Sequence, residues 1–126
     1  MDKTLFDKGL AVRRDVLGDE YVDNVMANAT EFSQSFQELL TEYCWGTVWS
    51  DETLDRKTRS MHNVVMLAAL NRMHEWELHF RGAIVNGVSR NELKAILNQI
   101  AIYCGIPASV ECHRIAKRVF SEVDSE

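Results

Sequence analysis

Glu38, Glu42, Trp45 and Trp49 stand at i, i+4, i+7 and i+11, a spacing that sets two carboxylates and two indoles along one side of a helix. A carboxyl group beside indole rings loses hydration, so its pKa rises and it can act as a general acid. The same aromatic spacing also suits a packed core or a subunit contact. Arg56, Arg59 and Arg81 are the cations suited to substrate carboxylates, because a guanidinium offers a planar fork of donors; ordinary salt bridges use the same geometry. Tyr103 offers a phenolic hydrogen bond or, equally, a core ring ahead of the Gly105-Ile106-Pro107 turn. His62, His74, His79 and His113 lack the paired spacing of metal ligands, so no metal site is predicted. Cys44, Cys104 and Cys112 form no Cys-x-x-Cys pair and read as reduced core thiols rather than as a disulfide framework or redox site.

The elements that must position these groups are helical throughout, since the apolar residues recur at helical spacing and strict alternation is missing. The predicted fold is all-α, a single-domain bundle of about six or seven helices over residues 1–126. A first helix covers roughly Thr4 to Leu17, with Gly18 as its left-handed stop, and a short one runs from about Tyr21 to Ala29. A third, about Glu31 to Trp49, carries Phe32, Phe36, Leu39, Leu40, Tyr43 and Val48 at helical spacing. The fourth opens with Thr53 or Asp55 as N-cap and is wholly apolar from Val64 to Leu70, a run expected to be buried on most sides. A fifth, from about His74 to Asn86, stops at Gly87. Ser89 and Glu92 supply a capping box for a sixth that runs to Cys104, and Pro107 sits in the first turn of a seventh. The acidic stretch Ser121 to Glu126 is expected to fray.

Composition excludes several classes of function. With 46% hydrophobic and 26% charged residues, six Gly and one Pro, the chain is that of a folded globular protein. A formal charge of −5 argues against a general nucleic-acid binder, which needs clustered Lys and Arg. No apolar run approaches the about 20 residues of a membrane span, and Met1-Asp2-Lys3-Thr4 does not open a secretory signal; a cytoplasmic protein is expected. Three Trp, five Phe and five Met in so short a chain are more apolar side chains than one core readily covers, so a symmetric homo-oligomer is expected.

Three stretches, in order, resemble the carboxymuconolactone decarboxylase family. They are Phe36-Gln37-Glu38 through Thr41 to Trp45-Gly46-Thr47-Val48-Trp49; Leu54-Asp55-Arg56-Lys57-Thr58-Arg59-Ser60 followed by Glu77-Leu78-His79-Phe80-Arg81-Gly82-Ala83 and Gly87; and Ala101-Ile102-Tyr103-Cys104-Gly105-Ile106-Pro107-Ala108. Arg13-Arg14-Asp15-Val16-Leu17-Gly18 makes a family-like opening, so the resemblance covers nearly the whole chain. It implies an alkylhydroperoxidase D-like helical fold, assembly as trimers or hexamers, no cofactor, and removal of CO₂ from 4-carboxymuconolactone in aromatic catabolism. The peroxidase branch carries two cysteines ahead of the histidine matching His79; Arg72 and Glu75 stand there, so thiol peroxidase chemistry is not expected. Three positions depart from the decarboxylase pattern: Asp51 near its usual Arg, Gln99 at a usual His and Val110 at a usual Asn.

The implied reaction defines the groups required. In 4-carboxymuconolactone the departing carboxylate sits on the ring carbon attached to oxygen, conjugated through the double bond to the lactone carbonyl. That carbonyl takes up the electrons, so the protein must stabilise a developing oxyanion and deliver a proton to carbon. The resemblance singles out His79 for proton delivery or a hydrogen bond to the enolate, with Glu38 as a second acid. Arg59, Arg81 and Arg56, with Trp45, Trp49 and Tyr103, are the substrate-binding candidates. The alternative is a divergent, non-catalytic member that binds a small acidic metabolite.

Overall fold

A computed structural model describes residues 1–126, and its helix ends are written in the residues that flank them. The Asp2 carboxylate accepts the Leu5 N–H at 3.1 Å and opens α1 (Lys3–Leu17). Gly18 closes it at φ 91°, a backbone conformation that favours glycine, with its N–H on the Arg14 carbonyl. The remaining elements are α2 (Asp19–Ala27), α3 (Gln34–Leu40), a π-helix (Thr41–Trp49), α4 (Arg56–Ala69), α5 (Met73–Val85), α6 (Arg90–Cys104) and α7 (Ile106–Asp124). There are no strands, and no helix is long and apolar enough to cross a membrane. The helices gather into two compact units, Met1–Arg56 and Lys57–Glu126.

In the first unit the predicted single helix from Glu31 to Trp49 is replaced by α3 and the wider π-helix. The widened turns are accompanied by side chains that reach back five residues: Thr47 Oγ1 donates to the Glu42 carbonyl at 3.4 Å and Ser50 Oγ to the Trp45 carbonyl at 2.8 Å. They also fit against α1 backbone to backbone. A Cβ on Gly9 would stand 2.0 Å from the Thr41 carbonyl oxygen, and one on Gly46 would stand 2.6 Å from that of Leu5, so only glycine permits this approach. Val12, Val16, Trp45 and Trp49 form the core, with Leu17 and Leu40 packed against it. Arg13, which the apolar spacing does not reveal, is also buried. Its Nη1 donates to Gln37 Oε1 at 3.1 Å and lies 3.5 Å from Thr41 Oγ1, at the junction of α3 and the π-helix, and burial lowers its pKa.

Most of the apolar series on this segment faces outward. Phe32 is 95% exposed, and Phe36, Leu39, Tyr43 and Val48 are also exposed; of the series, Leu40 reaches the core. Cys44 is exposed too, which corrects the expectation of a core thiol, whereas Cys104 is half-buried and Cys112 fully buried, its pKa pushed up to about 11 by burial.

In the second unit Trp76, Phe80, Leu93, Leu97, Ile100 and Val119 centre a core to which α4, α5, α6 and α7 all contribute. Trp76 stacks on Phe80 at 4.8 Å and donates its indole N–H to the Val64 carbonyl at 2.9 Å. The Ser89–Glu92 capping box forms with both bonds, 3.0 and 2.9 Å. Two expectations change here. The run from Val64 to Leu70 buries only one face: Val64 and Ala68 join the core, while Val65, Met66 and Leu70 are exposed. Nor does the stretch after Ser121 fray at once, because α7 continues to Asp124, with Glu122 paired to Arg81 and Asp124 to Arg90.

Candidate functional site

Within residues 1–56 the stacked pair Trp45 and Trp49, ring centroids 4.9 Å apart and planes 27° from parallel, is almost wholly buried. Trp49 forms part of the wall of a cavity of about 560 Å³, whose charged lining includes Lys8, Arg56, Asp51 and Asp55. Arg56 lines this cavity and is ion-paired to Asp15 at 3.0 Å. Lys8, which carries no motif, adds a second cation. Asp51, one of the three departures from the family pattern, also lines this space and brings a carboxylate to it.

The two carboxylates on the third helical segment separate. Glu42 is buried and accepts the Asp2 N–H at 2.5 Å, whereas Glu38 is only half-buried, with Gln34 Nε2 at 3.5 Å. The spacing argument assumed one α-helical period through both, and the change to π geometry at Thr41 breaks that period.

Within residues 57–126 the imidazole of His79 is buried, at 9% exposure. Burial lowers its pKa to about 4, against a smaller opposing pull from Glu75. Its Nδ1 lies 3.2 Å from Nδ2 of Asn63 on α4. With the amide nitrogen facing it, Nδ1 accepts and the ring proton resides on Nε2, so at neutral pH His79 is an uncharged hydrogen-bond donor. Asn63 is a partner that spacing does not expose, since it lies on another helix. Arg59, one turn before Asn63, is half-buried. Arg81 is not brought to His79: two residues along α5 point to nearly opposite sides, and its guanidinium bonds Glu77 at 3.1 Å and Glu122. Arg118 joins this cluster and, with Arg81, holds the Glu77 carboxyl below the usual range. Tyr103, near the end of α6, is 83% exposed.

Residues 34–118 match the carboxymuconolactone decarboxylase family. The chain belongs to that family. Among relatives of this carboxymuconolactone decarboxylase family member, nitrosuccinic acid decarboxylase of Metarhizium robertsii is 42% identical, covering 98% of this chain and 86% of the relative. The 4-carboxymuconolactone decarboxylase of Acinetobacter baylyi is 37% identical, covering 97% of this chain and 91% of the relative. An uncharacterized 15.0 kDa protein of Paracoccus denitrificans is 27% identical, covering 69% and 66%. Membership in the carboxymuconolactone decarboxylase family and the first two relatives support a decarboxylase activity.

Proposed function

We propose that this protein is a cofactor-free decarboxylase of the 4-carboxymuconolactone type, acting on that lactone or on a related acid of the same electronic design. The single observation carrying the reading is the buried, uncharged His79 held by Asn63. The substrates in the two relatives' names share a chemical logic. Electrons released with CO₂ flow onto a lactone carbonyl in one and onto a nitro group in the other, so each supplies its own electron sink. What either needs from protein is a donor aimed at the oxygen that becomes negative, followed by a proton at carbon.

A histidine titrating at about 4 stores a proton poorly at neutral pH, because only about one molecule in a thousand is then imidazolium. His79 is accordingly assigned the hydrogen bond to the developing oxyanion, the second of its two sequence-based roles. Arg59 is the candidate cation for a substrate carboxylate within residues 57–126, and Arg56 and Trp49 are the candidates at the cavity within residues 1–56. Arg81 is already held by two carboxylates, and Glu38 and Tyr103 have no comparable support. Assembly as a homotrimer or homohexamer belongs to the same reading, supported by exposed apolar residues such as Phe32, Ile102, Tyr103 and Ile106.

The test is CO₂ release from 4-carboxymuconolactone and from nitrosuccinate by the purified protein. Turnover of at least one is expected, with kcat depressed about 100-fold or more in His79→Ala, the scale of losing an oxyanion donor. No turnover of either by folded protein refutes the reading, and wild-type kcat in the variant removes His79 from it. The departures from the family pattern at Asp51, Gln99 and Val110 favour a second reading, a non-catalytic member that binds a small acidic metabolite. Ligand-dependent thermal stabilisation without product would select it.

A further inference from the structure

A cavity of about 190 Å³ within residues 57–126 has no part in the chemistry above. Two helices line most of it with the same stripe, and Phe80 of α5 adds to the floor. On α6 Arg90, Leu93, Lys94 and Leu97 stand at i, i+3, i+4 and i+7, and on α7 His113, Ala116, Lys117 and Phe120 repeat that spacing. Each stripe therefore brings apolar residues to the floor and cations to the rim. Phe80, Leu93, Leu97 and Ala116 are all buried, so the floor is a finished part of the core.

The polar side chains of the rim differ in their commitments. Arg90 lies 4.3 Å over the Phe120 ring and is ion-paired to Asp124. His113 has its Nδ1 on the Ser109 carbonyl at 2.7 Å. Lys94 and Lys117 have no ion-pair partner, and both side chains line an apolar hollow that has no carboxylate among its lining residues.

We propose that this cavity between α6 and α7 is a binding site for a small aromatic monocarboxylate, its ring on the apolar floor and its carboxylate between Lys94 and Lys117. Size supports a ring as occupant, since an apolar protein cavity of about 150 Å³ accepts benzene. Charge supports an acid: a neutral ring leaves both ammonium groups unanswered, and a cation meets three positive side chains at the rim. The site does not depend on the decarboxylase reading, because none of its lining residues is assigned to that reaction.

Benzoate and its neutral isostere benzamide are the probes, titrated calorimetrically into the full chain. Benzoate is expected to bind saturably and benzamide about tenfold more weakly, the scale of two exposed charge contacts. The double variant Lys94→Gln, Lys117→Gln changes two exposed side chains and should weaken benzoate about tenfold while leaving benzamide unchanged. Ala116→Leu, which fills the hollow, should abolish binding of both. Absence of saturable binding at millimolar benzoate overturns the proposal, as does equal binding of the two probes or wild-type affinity in both variants. Dissociation of an oligomer by Ala116→Leu, without benzoate binding to wild type, would assign the hollow to a side chain of a second copy and also overturn it.

Discussion

Acidification should destabilise this protein through His79 before the carboxyl of Glu77 responds. The imidazole titrates at about 4 when folded and at 6.5 when free, so between those values the unfolded chain binds the extra proton. A folded pKa lying below the unfolded one means that the stability is fully present above 6.5 and drains away as pH falls towards 4. Moving this group from 6.5 to about 4 corresponds to about 3 kcal/mol, of which about 2 kcal/mol is lost between pH 7 and pH 5. That is a large share of the about 5–15 kcal/mol typical of a domain. Glu77, whose carboxyl its Arg partners hold low, acts in a lower window, below its ordinary value of 4.5, so the interval above pH 5 isolates the histidine. Urea unfolding of wild type and His79→Gln across that interval, followed by tryptophan fluorescence, measures the difference in slope whatever the variant does to absolute stability. The variant curve should be flatter by about 2 kcal/mol. Parallel curves, or an NMR titration of the His79 ring with a midpoint near 6.5, would refute the argument.

Gly9→Ala should destabilise by more than about 2 kcal/mol in chemical denaturation, because the new methyl group meets the Thr41 carbonyl and the Gly46 nitrogen, backbone atoms that cannot swing aside. Ser89→Ala should cost about 1 kcal/mol through loss of the capping box, leaving kcat unchanged. Arg81→Ala should leave both the unfolding midpoint and kcat close to wild type, since its partners are carboxylates in an exposed cluster; a large loss of kcat would return Arg81 to the substrate. Trp49→Ala should remove the stacked-indole signature from the near-ultraviolet circular dichroism, as the ring that stacks on Trp45 is lost.

Helix boundaries were legible where the sequence displays the local chemistry directly: Gly18 stops α1 through its backbone conformation and the pair Ser89 and Glu92 caps α6, whereas the Asp2 cap went unread. The π-helix was not legible, because its five-residue reach leaves no apolar period of its own, and an α-helical reading of Glu38 through Trp49 set both carboxylates beside the indoles, whereas only Glu42 is buried with them. Burial was over-read for the run from Val64 to Leu70. An apolar side chain announces that it can be covered, not that its own chain covers it. Among the candidate residues His79 came through the motif set and is buried, but Asn63, Lys8 and the buried Arg13 went unseen: Asn63 and Arg13 have polar partners on other helices, and Lys8, which lines the cavity of residues 1–56, matches no motif.

The wide turns from Thr41 to Trp49 carry a liability for anyone who edits this gene segment. They accommodate residues that a tighter coil would have to expel, so trimming a single codon there offers the backbone an easy way to close up into ordinary α geometry. Such a deletion would not merely shorten the loop that follows. It would swing Trp49 around the axis, part it from Trp45, and lift Gly46 out of the only slot where α1 can lie against it.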